Sequence, residues 1–348
     1  MANNLQTYFN AFHESIKLLN TEENKLLRDK RDILLDEIRA YLIKKSESED
    51  NALITFQFEN QGSYSMGTGI KPIGNIDYDI DVMLLFNVAK NDYTPEVVKK
   101  WVYEALDKGQ RTVQYKKPCV RVQYHEEGEI AYHVDFACYS NSNSDSQTYL
   151  SKGKPNSVSA DITWELSEPK ELKSKINNKL TATEDCLQFK RVIRYIKRWK
   201  DFQFQNTTDG KPTGIAITAL VYNGFGSSFE IDPFSSDKTP NDFLATKNFI
   251  QYFLNQFDSN NTITVKLPVL PYNDLFEKMK RSPNQTKTLK DKLIRLKESF
   301  EKAGNETDPV ESCKILRKEL GDDFPIPDKN DTGQKRTIAI ASSPDQAY

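Results

Sequence analysis

Three acids at alternate positions, Asp77, Asp79 and Asp81, open the segment DYDIDVMLLF at residues 77–86. Successive side chains of a strand point to opposite faces, so all three project to one side. Neighbouring carboxylates repel, and burying them is costly unless a counter-charge is supplied; a divalent cation is the obvious one. A second stretch, His133-Val134-Asp135-Phe136, adds a further carboxylate if it pairs beside the first. Such a set suits two Mg²⁺ ions, which take oxygen ligands at ~2.1 Å. At ~3.5 to 4 Å apart, the two ions clamp the attacking and leaving oxygens of an in-line displacement. Read alone, acids at the exposed end of a strand are equally well solvated surface charges. Upstream, Gly62-Ser63 offers a glycine that lets backbone amides approach a phosphate and a hydroxyl that can donate to it. By itself Gly-Ser is a commonplace turn.

The elements that must position these residues follow from periodicity. Apolar residues recur at helical spacing through residues 5–45 (Phe9, Phe12, Ile16, Leu19, then Leu27, Ile33, Leu34, Ile38, Leu42), which predicts one or two long helices. A break is expected at Asn20-Thr21, where Asn20 as N-cap and Glu23 three residues on match a helix start. Residues 52–58 read as a strand running into the turn Gln61-Gly62-Ser63. Residues 77–86 end in a continuous apolar run, the pattern of a central strand whose leading end emerges into a cleft. A helix over 95–108 precedes two strands, 117–124 and 129–139, joined at Glu126-Glu127-Gly128. Through residue 160 the composition turns to Asn, Ser, Asp, Gly and Lys, which predicts a mobile surface loop. Beyond it the spacing is helical at 169–180, 184–202, 213–225, 242–256 and 285–303. Strands early and helices late predict the α+β class, an α+β lobe joined to a helical lobe. The expected units are a core with its N-terminal helix at 1–165, a helical lobe closing the cleft at 166–324, and a partly disordered tail at 325–348.

Composition sets the outer limits. The 348 residues suffice for two domains or one bilobed unit. Lys and Arg number 48 against 50 for Asp and Glu, so no whole-molecule basic field gathers long nucleic acid. The four cysteines, Cys119, Cys138, Cys186 and Cys313, show no Cys-x-x-Cys pair and no His at zinc spacing. Free thiols in a reducing compartment are expected. The first ten residues carry no basic stretch followed by an apolar one, and no uninterrupted apolar run spans a bilayer. A cytoplasmic protein with no membrane partner is the expectation.

The ordered set of helix, strand, QGSYSMGT, DYDIDVMLLF and later YHVDFACY resembles the polymerase-β nucleotidyltransferase superfamily over about the first 140 residues. Within it, the chain is similar to the cGAS/DncV-like nucleotidyltransferases (CD-NTases) of bacteria, which make cyclic nucleotide signals in CBASS anti-phage defence. The long N-terminal amphipathic helix, the form GSYSMGT, the Trp164 to Pro169 segment and the helix FKRVIRYIKRWKDF carry this likeness. The resemblance implies that Asp79 and Asp81 ligate both metals and that Asp135 completes the site and acts as base for the attacking ribose hydroxyl. The family's pair immediately precedes the apolar run, which favours Asp79 and Asp81 over Asp77 and Asp79. Ser63, with the backbone of Gly62, would hold the donor triphosphate, and Gln61 would line the site.

On the later helix, Lys197 is placed to reach the β/γ-phosphates as a compact charge. Thr213 or Thr218 would add hydroxyl and helix N-terminal donors. The competing reading makes Lys190, Arg191, Arg194, Lys197, Arg198 and Lys200 a mostly solvated face around a buried stripe of Leu187, Val192, Ile193, Ile196 and Trp199. His133 shares the face of Asp135 and reads as structural, and Tyr64 and Tyr139 read as packing residues that could also stack on a base.

The implied activity is Mg²⁺- or Mn²⁺-dependent transfer of an NMP from an NTP, ATP or GTP first and pyrimidines also allowed, with two ions. The resemblance alone adds ring closure to a cyclic di- or trinucleotide, a downstream effector that reads the product, and a tail that serves for conjugation to another protein. The cysteine pattern offers no zinc-binding insertion, so no DNA activator is expected. The alternatives are a polymerase-β type transferase acting on RNA or another acceptor, and an inactive nucleotide-binding sensor. A third carboxylate argues against the sensor, since binding alone does not need it.

Overall fold

A strand with apolar side chains on both faces is stable in the interior only when each face is covered; here helices cover one face of the sheet, and on the other Met83, Leu85, Ala137 and Tyr139 form a small cluster of their own with Leu150 packed against it. The computed structural model describes residues 5–18, 22–50, 52–74, 78–109, 111–126, 129–155 and 161–328, leaving aside the side chains of residues 22–24, 26–27, 49, 78–79, 126 and 129–131. Five strands run in the spatial order β1 (Phe56–Asn60), β2 (Tyr78–Phe86), β5 (Glu129–Ser140), β4 (Val120–Glu126) and β3 (Thr112–Tyr115). β2 and β5 are parallel and the other neighbours antiparallel, so the sheet is mixed. Between β2 and β5 lies helix α4 (Pro95–Leu106), started by Thr94, whose hydroxyl caps Val97 N, and by Pro95 in its first turn.

Where a mobile loop was expected over 140–160, the chain instead forms β6 (Tyr149–Lys152), which pairs with β5 and with β7 (Thr163–Leu166). Its polar composition hides a buried position: Ser151 is fully buried and donates to Pro95 O at 2.6 Å. A satisfied hydroxyl is tolerated there where an unpaired one would not be.

Helices α1 (Gln6–Ile16) and α2 (Glu22–Glu49) account for the N-terminal periodicity. The expected cap Asn20 lies outside the described residues. One face of the sheet, with Ile80, Val82, Val134, Phe136 and Val122, packs on Leu34 and Ile38 of α2 and on Trp101 of α4. A second core is built by α5 (Pro169–Asn177), α6 (Thr183–Gln203), α7 (Gly214–Gly224), α8 (Asp242–Leu254), α10 (Pro283–Asn305) and α11 (Pro309–Leu320), with the one-turn α9 (Glu277–Lys280). The hairpin β8 (Phe229–Ile231) and β9 (Lys238–Pro240) joins α7 to α8.

Grouping residues 1–165 with the sheet does not describe α1. Phe9, Phe12 and Ile16 belong to the helical core, and both rings meet Tyr195 of α6, at 5.2 Å edge-on and 5.4 Å stacked. Burying each ring contributes ~2 to 3 kcal/mol, which decides the side α1 takes. Of the stripe expected on α6, Val192, Ile193, Ile196 and Trp199 are buried, whereas Leu187 is 46% exposed. All four cysteines are free thiols. No helix among the described residues is long and apolar enough to cross a membrane.

Candidate active site

Parallel pairing of β2 with β5 sets Asp81 directly in register with Asp135, and Asp79 with His133. Adjacent strands lie ~4.8 Å apart, so the Asp81 and Asp135 positions are neighbours on the face opposite the α2/α4 core. β4 extends the same row, with Arg121 in register with Asp135. Its guanidinium grips that carboxylate with both arms, Nε to Oδ1 at 2.8 Å and Nη2 to Oδ2 at 2.7 Å. Burial and the adjacent Asp135 push the Cys119 thiol up, so it stays protonated at neutral pH. His133 is buried at this face. Asp77 lies outside the described residues, as does the Asp79 side chain.

The Gly-Ser motif lies against these acids. Gly62 opens the one-turn helix α3 (Gly62–Ser65) with φ +67°, and a Cβ there would overlap the Asp81 carboxylate. The preceding residue is tied to the same strand, Gln61 N donating to Asp81 O at 2.9 Å, while Tyr139 donates to Gln61 Oε1 at 3.0 Å. Tyr139 is therefore a buried orienter of Gln61. Tyr64 accepts from Arg28 at 3.5 Å and is not among the residues lining the cleft.

The charged helix α6 overturns the solvated-face reading. Arg194 donates to Gly67 O at 2.6 Å and Gly69 O at 3.2 Å, Lys197 to Thr68 O and Oγ1 at 3.1 and 3.2 Å, and Arg198 to Lys71 O at 2.8 Å. These cations grip the loop that follows Gly62-Ser63. On its other side the exit of α1 bonds the same loop, through Leu18 N to Gly69 O and Lys71 N to Ile16 O. His13 beside Arg194 is held down to about 4, first by burial and then by Arg194, so it is neutral at pH 7 and can accept from the guanidinium at 3.1 Å. A signal was present in the sequence: Lys190, Arg194 and Lys197, spaced by four and three, form one helical stripe.

Between the sheet and the helices opens a cleft of about 580 Å³. Of the expected residues Gln61, Gly62, Ser63, Asp81, Lys197 and Thr218 line it. Asp135 stands behind Asp81 in the row and is not among the lining residues. Thr213 does not line it either: exposed, it caps α7 by accepting from Ala216 N at 3.2 Å. The sequence reading missed Lys200 and Asp201, paired at 3.0 Å, and an apolar shelf that includes Leu172, Ile215, Leu267 and Val269.

Hard carboxylate oxygens on adjacent strands, with room kept by Gly62, suit a hard divalent cation. Among the described residues no three His, Cys, Asp or Glu side chains form a metal group; the third expected acid, Asp79, has its side chain outside that description.

Comparison with known proteins matches residues 56–139 to the family model "Cyclic GMP-AMP synthase DncV-like, nucleotidyltransferase domain". A cyclic GMP-AMP synthase of Escherichia albertii is 26% identical over 196 residues, 52% of this chain and 42% of that relative. A c-di-GMP synthase of Roseivirga ehrenbergii is 30% identical over 78 residues, 22% of this chain and 20% of that relative. These alignments thus span less than half the length of the curated relatives. The crystal structure of Vibrio cholerae DncV cyclic AMP-GMP synthase, a prokaryotic cGAS homolog, superposes with TM-score 0.72 at 17% identity, covering 92% of this chain and 97% of that one. The same enzyme in complex with the linear intermediate 5′ pppA(3′,5′)pG gives TM-score 0.72 at 18% identity, covering 93% and 97%. Residues 56–139, which carry Asp81 and Asp135, thus resemble a DncV-like nucleotidyltransferase domain, and the chain shares the fold of the DncV structures over nine-tenths of its length.

Proposed function

We propose that this protein is a divalent-metal-dependent cyclic oligonucleotide synthase, joining NTPs into a cyclic di- or trinucleotide second messenger for anti-phage defence. The observation that carries the reading is the register of Asp81 with Asp135 beside Gly62, at a cleft that also holds Lys197 and Lys200. Asp79, Asp81 and Asp135 would hold two Mg²⁺ or Mn²⁺ ions, which supply activation of the attacking hydroxyl and charge stabilisation of the leaving pyrophosphate. Ser63 and the Gly62 backbone hold the donor triphosphate, with Gln61 kept in place by Tyr139. Lys197 and Lys200 meet its negative charge, and the shelf at Leu172 and Ile215 takes a base face. Asp135 receives the proton of the acceptor ribose hydroxyl. Positioning and charge neutralisation supply most of the rate, because phosphoryl transfer asks little covalent chemistry of the protein. The effector that reads the product, and any conjugation through the tail at residues 325–348, belong to this same reading.

Incubation of the purified protein with labelled NTPs and Mg²⁺ or Mn²⁺ tests it. Metal-dependent products that resist phosphatase support ring closure. Phosphatase-sensitive chains would replace it with a linear or RNA-tailing activity, and no NTP turnover in any mixture would leave a nucleotide sensor.

The phosphate role of Lys197 makes a separate prediction. Burial, then Lys200 and Arg194, push its ammonium down to about 7. A triphosphate placed beside it favours the charged form and raises the pKa again. The lone protein loses that charge above pH 7, so nucleotide binding above pH 7 takes up a proton and weakens as pH rises. At pH 8 the uptake is expected to be roughly one proton, and affinity falls by up to ~tenfold per pH unit between the two pKa values. Calorimetry of ATP and GTP binding in buffers of different ionisation enthalpy reads this directly. Uptake that persists in Lys197→Met would assign it to another group.

A further inference from the structure

The acid row of the sheet contains a counter-ion that the metal chemistry does not require. Asp81, Asp135 and Arg121 follow one another across β2, β5 and β4 in register, so the cation stands on the side of Asp135 away from Asp81. Both oxygens of Asp135 are engaged, at 2.8 and 2.7 Å, and the pair is mostly buried, with side-chain exposures of 25% for Arg121 and 11% for Asp135. A guanidinium keeps its charge at any working pH. As a source of stability such a pair is a weak explanation, because desolvation offsets most of its Coulomb gain. Its position points elsewhere.

We infer that Arg121 is a positioning residue that pins the Asp135 carboxylate beside Asp81 and competes with a divalent cation for it, so that the nucleotide-free protein binds the ion weakly. An ionised carboxylate has about four lone-pair sites, and a bidentate guanidinium takes two of them, one on each oxygen. The fork fixes the plane of the group and leaves the remaining sites for a cation. The guanidinium charge is spent on that carboxylate and lowers the negative charge that Asp135 itself offers a cation. Two consequences follow together: without Arg121 the ion binds more tightly, and Asp135 is held less well for turnover. A residue that only supports the fold would weaken both.

This inference rests on the metal-binding reading above, and its readout needs neither nucleotide nor product. Mn²⁺ binding to the nucleotide-free full chain is measured by electron paramagnetic resonance for the wild type, Arg121→Gln, Asp135→Asn and the double variant. Arg121→Gln is expected to lower the Mn²⁺ dissociation constant about tenfold. The same change made on Asp135→Asn is expected to do nothing, because the contested carboxylate is gone. NTP turnover by Arg121→Gln is expected to fall although the ion binds better. Unchanged or weaker Mn²⁺ binding in Arg121→Gln overturns the inference. An equal gain in the Asp135→Asn background also does so, since it would reflect a general field and not competition at Asp135. Should Arg121→Gln not fold, Arg121→Lys keeps the charge but loses the fork; its expected gain is a few-fold, and no gain counts against the inference in the same way. A protein that makes no nucleotide product but shows the Mn²⁺ gain keeps this inference and loses the synthase reading. Product formation without the gain does the reverse.

Discussion

Asp81→Asn is expected to lower nucleotidyl transfer by on the order of 10³-fold or more, a loss of at least ~4 kcal/mol of transition-state stabilisation. The substitution preserves shape and removes one charge from a side chain whose neighbours are Asp135 across the strand and Gly62 against its carboxylate. An amide keeps one acceptor oxygen but no longer supplies the anion that a divalent cation needs. Stability should move the other way: two in-register acids repel, so losing one charge leaves the melting temperature unchanged or higher. Pyrophosphate release and a thermal melt on the same preparation separate the two effects. An Asp81→Asn protein that keeps activity within ~tenfold of the wild type would remove Asp81 from the chemistry.

Gly62→Ala is the second large effect, and it acts through geometry. At φ +67° an L side chain costs ~1 to 2 kcal/mol of backbone strain. The added methyl also overlaps the Asp81 carboxylate, which has to move. Small displacements in a preorganised site carry large rate penalties, so a loss of ~10²-fold or more in turnover is expected. The melting temperature should drop by only about 2 to 8 °C. Gly109→Ala is the control. Gly109 has φ +74° with open space around its Cβ position, so it bears the backbone strain without the overlap. Equal activity losses in the two variants would mean that strain alone, and not the Asp81 contact, sets the effect.

Much of the architecture is legible in local pattern. The 3.6-residue spacing marks α2, α6, α8 and α10, the apolar run marks β2, and Thr94 with Pro95 marks the start of α4. β6 is not legible, because its buried Ser151 is polar and only the distant carbonyl of Pro95 makes that burial tolerable. The side taken by α1 is equally hidden: its periodicity says that Phe9 and Phe12 are buried, not that Tyr195 of α6 is their partner.

The site divides along the same line. Alternating acids on one strand and a glycine-serine turn before them are short-range facts, so the sequence by itself determined that a row of carboxylates opens a central apolar strand and that a turn able to approach a phosphate precedes it. Tertiary structure decided which groups face them: the parallel register that brings Asp135 to Asp81, the Arg121 fork on Asp135, and the turning of Arg194, Lys197 and Arg198 onto the loop at 67–71. Side-chain periodicity is set by the geometry of neighbouring peptide units and can be read within a few residues. Strand partners and counter-charges are chosen by global packing and by the cost of leaving a buried charge unmatched. The Lys197 to Thr68 contact spans 129 residues of chain, and nothing in either local segment specifies it.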